Sequence, residues 1–279
     1  MGAVFSLAMV QESVALFAPL LPSYQEAIVT RDIKYGEHER HRLDVFGARK
    51  QGAKRPVVIF IHGGGFVAGD KGGPGQPFYS NVGVWATSQG YLGVAATYRL
   101  APEHKYPSGV EDIDAIVAWV RANAGAYGGD PDRIVLIGQS AGASHVASYL
   151  ASPKTSALAA KSLAGVVLMS GIFDLAAAEF GRFEYAYYGE DPGVIAICSS
   201  IDGLAKTPVR CLFTLGEIED PNFQRQTSLA VNRWVQEKGR WPDFHLLEAQ
   251  NHISPVHQIG SSADEVGPVL AKFIEKVTA

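Results

Sequence analysis

The sequence predicts an α/β fold in which a mostly parallel sheet is covered by helices on both faces, and three observations predict it. Short continuous β-branched runs, such as Pro56 to Ile61, suit strands buried on both faces. These runs alternate with helical patterns along most of the chain. One of them, Ile134 to Ile137, leads directly into Gly138-Gln139-Ser140-Ala141-Gly142 and then a small-residue stretch from Ala143 to Leu150. That order of strand, G-x-S-x-G and helix is the pattern of a nucleophile elbow, a sharp turn that pushes one side chain out of the sheet edge.

Taken in order, Ala27 to Tyr35 and Arg42 to Phe46 read as a pair of opening strands. Pro56 to Ile61 follows, then a glycine- and proline-rich loop from Gly63 to Pro77 and a strand from Leu92 to Tyr98. Ser108 to Asn123 reads as a helix, because Val110, Ile113, Val117 and Val120 recur at helical spacing and Glu111, Asp112 and Asp114 sit in its first turns, where carboxylates suit the dipole. After the elbow come strands at Gly165 to Met169 and Val209 to Leu215, then a helix from Asn222 to Lys238 with Gly239 after it. The last strand is Asp243 to Leu247 and the last helix Ser262 to Val277.

Two segments stand outside this alternation. Residues 1–26 read as an amphipathic helix that packs on the body or covers the site; Gln11-Glu12 interrupts its apolar run, which is too broken for a membrane span. Residues 171–206 hold Phe173, Phe180, Phe183, Tyr185, Tyr187 and Tyr188 between two strands, and such an aromatic excursion at the carboxyl end of a sheet reads as a small cap. The expectation is one domain over residues 1–279 with these two additions.

Composition narrows the function classes. A net charge of −4 with scattered basic residues gives no footprint for nucleic acid. The two cysteines, Cys198 and Cys211, read as free thiols suited to the cytoplasm. No HExxH or CxxC is present, so neither metal nor cofactor is expected. Edge strands in such sheets often pair, which leaves a homodimer open.

A serine hydroxyl needs a base, an acid that orients the base, and donors for the oxyanion. In this architecture they follow in the order serine, acid, histidine. His252 comes first after the last strand, at the same sheet end as Ser140, and is preferred as base over His257. His245 lies within a strand pattern, and His145, on the elbow helix, should point away. The loop after Val209 to Leu215 offers three acids, Glu217, Glu219 and Asp220; Asp220 precedes Pro221 and a helix, so capping is its rival role. His62-Gly63-Gly64-Gly65-Phe66 follows a strand, and its glycines let backbone N–H groups approach a substrate, joined by the amide of Ala141.

His62-Gly63-Gly64-Gly65, Tyr98-Arg99-Leu100-Ala101-Pro102-Glu103, Glu111-Asp112, Gly129-Asp130-Pro131-Asp132-Arg133-Ile134 and the elbow together resemble the hormone-sensitive-lipase-like carboxylesterases of the α/β-hydrolase fold. The resemblance runs from about residue 56 to the end, leaving out residues 171–206. It implies hydrolysis of a small-molecule ester, with Ser140 as nucleophile, His252 as base, and Gly64, Gly65 and Ala141 as oxyanion donors. Two positions depart from the common pattern, Gln139 and Ala143. The acid loop is similar in length to that of the kynurenine formamidase branch, whose acid falls at Glu219, whereas matching on Asp-Pro selects Asp220. Glu219 is preferred. An arylformamidase is therefore an alternative, and a non-catalytic receptor on the same fold a remote one.

Overall fold

The computed structural model describes residues 6–24, 28–47, 52 and 54–279. The helices are α1 (Leu7–Phe17), α2 (Ser80–Ser88), α3 (Ser108–Asn123), α4 (Ala141–Ala151), α5 (Ser156–Ser162), α6 (Arg182–Tyr188), α7 (Pro192–Cys198), α8 (Ile201–Lys206), α9 (Pro221–Lys238), α10 (Ser254–Gln258) and α11 (Gly267–Thr278). The strands are β1 (Val29–Lys34), β2 (Arg42–Phe46), β3 (Arg55–Ile61), β4 (Leu92–Ala96), β5 (Gly129–Gln139), β6 (Leu163–Met169), β7 (Arg210–Gly216) and β8 (Asp243–Leu247). All eight form one sheet in the order β1-β2-β4-β3-β5-β6-β7-β8. β2 is antiparallel to both of its neighbours, and every pairing from β4 through β8 is parallel.

Strand alternation divides the core. Val57, Ile59 and Ile61 of β3 face α3, α4 and α9, packing with Ile113, Val117, Val146 and Trp234. Val58 and Phe60 face the other way, with Val82 and Trp85 of α2, Val256 of α10 and Leu270 and Phe273 of α11. Each such side chain, taken fully out of water, contributes about 1.5–3 kcal/mol. Strand segments buried on both faces are apolar at nearly every position, which is why β3, β4, β6 and the Ile134–Ile137 part of β5 read as runs rather than alternations.

Helix ends follow local chemistry. Asp220 caps α9 by accepting from Asn222 N at 2.9 Å, Pro221 fills the first position, and Gly239 closes the helix at φ 66°. The last helix starts at Gly267, not at Ser262 as the sequence suggests. Asp264 causes the difference: its Oδ1 accepts from Val266 N at 3.0 Å and Gly267 N at 2.6 Å, and its Oδ2 from Gly260 N at 2.7 Å, holding the preceding residues in a turn. Helices α2, α5 and α10 occupy segments whose spacing announced none. β4 stops at Ala96, two residues before the expected end, and β5 begins at Gly129, well before Ile134.

The N-terminal segment is described from residue 6 to 24, so the ends of the expected helical stretch 1–26, and Ala27 of the expected first strand, lie outside the described residues. Residues 171–206 carry α6, α7 and α8. Cys198 and Cys211 are both buried and free. No helix among the described residues is long and apolar enough to cross a membrane.

Candidate active site

β5 ends at Gln139, and Ser140 turns the chain into α4 with φ 55° and ψ −121°. A side chain in this region costs on the order of 1–3 kcal/mol, so surrounding bonds must hold it. Ser140 N donates to Met169 O at 2.8 Å, and Ser144 N donates to Ser140 O at 3.1 Å. Gly142 is required by close packing, because a Cβ there would run into the carbonyl of Ile61 at the end of β3. α4 is buried from Ala141 to Leu150, and its small residues let it lie tightly on the sheet.

The loop after β8 delivers His252, whose Nε2 lies 2.8 Å from Ser140 Oγ. Its Nδ1 contacts Glu219 Oε1. A carboxylate accepts only, so Nδ1 carries the proton and Nε2 is the acceptor toward the serine. Glu219 is 1% exposed, and its Oε2 accepts from Ser170 Oγ at 2.9 Å and Gly216 N at 3.3 Å. Phe223 stacks on the imidazole with centroids 4.1 Å apart. Asn251 Oδ1 accepts from the amides of Ile253 and Ser254, starting α10 and fixing the loop.

The three acids of the β7 loop thus have three different contacts. Glu219 meets His252, Asp220 caps α9, and Glu217 accepts from Ala249 N at 2.8 Å. Gln139 is 2% exposed, and its Nε2 donates to the carbonyl of His252 at 3.0 Å. This residue, one of the two departures from the common esterase pattern, ties the elbow to the histidine loop.

Gly64, Gly65 and Ala141 line the same cavity as Ser140 and His252. Gly64 sits at φ 119°, where a Cβ would strike the carbonyl of Ala68. Tyr98 braces the loop: its hydroxyl donates to His62 O at 2.9 Å, and its ring stacks on that of His62 at 4.3 Å. Burial pushes the His62 imidazole down to about 4. The ring is therefore neutral, and its Nδ1–H donates to Gly63 O at 2.6 Å. Arg40 holds both Tyr98 O at 2.8 Å and Gly69 O at 2.9 Å. Asp112, buried in α3, accepts from Arg99 N at 2.7 Å and Arg99 Nε at 2.8 Å. The Tyr98-Arg99 and Glu111-Asp112 motifs therefore build the frame beneath the glycine loop.

The cavity holds about 290 Å³ and is mainly apolar, with Phe66, Ile172, Phe223 and Ile253 among its walls. Two further elements reach it: α1 through Val10, and α6 through Phe183 and Glu184. α6 is attached to the glycine loop by Phe66 stacked on Tyr187, with centroids 4.8 Å apart and planes 3° from parallel. α1 is attached through Ser13 Oγ, 2.9 Å from His257 Nδ1, and His257 stacks on Phe78 at 3.9 Å. Burial holds His257 at about 4 and His145, packed edge-on against Tyr98 and Phe66, at about 3. A larger cleft of about 480 Å³ between α9 and β8 contains none of these residues, so size alone does not mark the chemistry.

Sequence reasoning missed Ser170, Phe223, Glu184 and the Ser13–His257 contact. Ser170 follows a strand at the sheet's carboxyl end, which is the one sequence signal it carried; the others depend on how α1, α6 and α9 dock. Among the described residues no three His, Cys, Asp or Glu side chains cluster in a way that would hold a metal ion.

The sequence model of the BD-FAE family matches residues 43–179. The isoprenylcysteine alpha-carbonyl methylesterase of Arabidopsis thaliana is 33% identical over 139 residues, which is 50% of this chain and 31% of that protein. The carboxylesterase NlhH of Mycobacterium tuberculosis is 45% identical over 89 residues, 31% of this chain and 26% of that protein. The chain thus spans less than a third of the length of the curated relatives it matches. Among solved structures, esterase B of Lactobacillus rhamnosis superposes with a TM-score of 0.75 at 19% identity, covering 97% of this chain and 92% of that one. The thermostable carboxylesterase EstE1 from a metagenomic library gives 0.74 at 22% identity, covering 96% and 95%. With this sheet order and a strained serine between β5 and α4, the chain has the α/β-hydrolase fold that these esterase structures share.

Proposed function

We propose that the protein is a serine carboxylesterase that hydrolyses small esters, short-chain or aromatic, through an acyl-enzyme on Ser140. The observation that carries this reading is that His252 bridges Ser140 and Glu219, with its acceptor nitrogen 2.8 Å from the serine oxygen. Ser140 Oγ attacks the ester carbonyl while His252 Nε2 takes its proton. Glu219 holds the tautomer and stabilises the imidazolium, while Ser170 keeps the carboxylate oriented. The amides of Gly64, Gly65 and Ala141 receive the oxyanion, each such donor being typically worth about 10²–10³ in rate. Collapse breaks the ester C–O bond, and His252 gives its proton to the departing alcohol. Water then attacks the acyl-enzyme, again losing its proton to His252, and the acid leaves with the serine restored.

The cavity supports the substrate size: about 290 Å³ lies at the small end for ligand sites. We read α1 and residues 171–206 as the cover of a single catalytic domain, since both bring side chains to the cavity wall. Replacing Ser140 by Ala lowers turnover of p-nitrophenyl butyrate by about 10³-fold or more and abolishes labelling by a fluorophosphonate. Turnover at the parent rate in that variant overturns the assignment.

A further inference from the structure

We propose that Glu184 makes this site selective for esters that carry a positive charge, an alkylammonium group a few bonds from the scissile carbonyl. The inference rests on the esterase reading above and concerns which esters it favours. Glu184 is the one acidic side chain that lines the cavity among the described residues. One of its oxygens, Oε2, accepts from Gly181 N at 2.9 Å. No Lys or Arg among the described residues pairs with it, and the nearby guanidinium of Arg182 lies instead over the Phe183 ring, 4.6 Å from its centroid.

Its position gives the charge a consequence. Phe183, the preceding residue, presses on the glycine loop: a Cβ on Gly65 would sit 3.2 Å from its ring. Glu184 and the amides that receive the oxyanion line one and the same cavity. Negative charge there opposes the charge that develops on a neutral ester, and a cation on the substrate offsets it. The walls suit that cation as well, since the rings of Tyr79, Phe183 and Phe223 line the same space and aromatic faces attract alkylammonium groups. An unpaired carboxylate and several rings around one small cavity are the two halves of an ammonium site. Selection works through repulsion of the wrong substrate as much as attraction of the right one.

The test compares butyrylthiocholine with 3,3-dimethylbutyl thiobutyrate, in which carbon replaces the charged nitrogen at constant shape. The parent protein should prefer the cation by about 10-fold in kcat/KM, and the Glu184→Gln variant, which keeps the acceptor for Gly181 N, should bring the ratio near one. The ratio is the readout, so a general change in turnover cancels. Raising KCl from 0.02 to 0.5 M should lower the parent ratio several-fold. A parent ratio at or below one, or the same ratio in Glu184→Gln, overturns the inference. If Glu184→Gln turns over neither substrate, the salt series on the parent decides: a falling ratio supports the inference and a flat one overturns it. Hydrolysis of p-nitrophenyl butyrate without charge preference overturns this inference alone. A parent protein that hydrolyses none of the three overturns the esterase reading along with it.

Discussion

The floor and the cover of the cavity are built by different physics. The floor consists of strand ends and the loops that leave them, and directional bonds fix it. Ser140 hangs from Met169 O and Ser144 N, His252 from Gln139 and Asn251 through its loop, and Glu219 from Ser170 and Gly216. The cover consists of α1 and α6, held by apolar and ring contacts such as Phe66 on Tyr187 and by a few hydrogen bonds at its margins, Ser13 with His257 for α1 and Tyr106 N and Gly109 N donating to Tyr187 for α6. Directional bonds fix orientation, as proton transfer needs; ring stacking sets shape, as substrate choice needs. Substitutions in the floor should therefore act on kcat, and substitutions in the cover on KM and selectivity.

The largest expected effect tests the floor at its acid. Glu219→Gln preserves shape and the contact with Ser170 but removes the charge that stabilises the imidazolium. We expect kcat on p-nitrophenyl butyrate to fall about 10³–10⁴-fold, by analogy with the loss of the charge in other serine triads. Asp220→Asn, which still accepts from Asn222 N, should stay within about twofold. If Asp220→Asn proves the damaging change, the acid has been assigned to the wrong carboxylate.

A pH series separates floor from cover through their histidines. His62 in the floor, and His145 and His257 beneath the cover, are all depressed by burial, to about 4, 3 and 4. Each binds its proton more weakly folded than unfolded, where the ordinary value is near 6.5. The stability this represents is intact above about pH 6.5 and is lost progressively as pH falls toward 4, by up to about 1.4 kcal/mol per pH unit for each group. His257→Asn should flatten the decline of unfolding free energy around pH 5.5 by about one group's share, read from urea titrations. An unchanged slope would mean that His257 does not stay neutral under α1.

The same division explains what the sequence could reveal. Ser140, Gly64, Gly65 and Ala141 were legible because tight turns and close backbone approach demand particular residues at fixed spacing. His252 was legible from topology alone, as the first histidine after the last strand. Among Glu217, Glu219 and Asp220 the residues alone left the choice open, and only the resemblance in loop length pointed to Glu219, because the contact depends on how one short loop folds back over β8. Yet Asp220-Pro221 before a helix already carried the signature of a cap, the contact it makes. Glu184 and Ser13 were invisible, since each acquires meaning only when a helix distant in sequence docks beside the site. α2 was missed for a related reason. Its Gly83 lies against Phe46, where a Cβ would collide, so packing overrides the weak helical preference of glycine.

The smallest effect belongs to the tie that holds α1. Ser13 and His257 are both buried, 0% and 2% exposed, so Ser13→Ala leaves the ring nitrogen without its partner in a dry contact. Such a loss costs about 1–3 kcal/mol, and it falls on a helix whose outer face already exposes Leu7 at 72% and Leu16 at 51%. We expect the helix to open more often while the sheet stays closed. Amide exchange in α1 should quicken at least tenfold with β5 unaffected. KM for p-nitrophenyl butyrate should rise about threefold as Val10 leaves the cavity wall, and kcat should hold because the bonds of His252 to Ser140 and Glu219 are made by the loops after β5, β7 and β8. A fall in kcat at constant KM would show that the cover also aligns the reacting groups, and the separation between floor and cover would fail at that point.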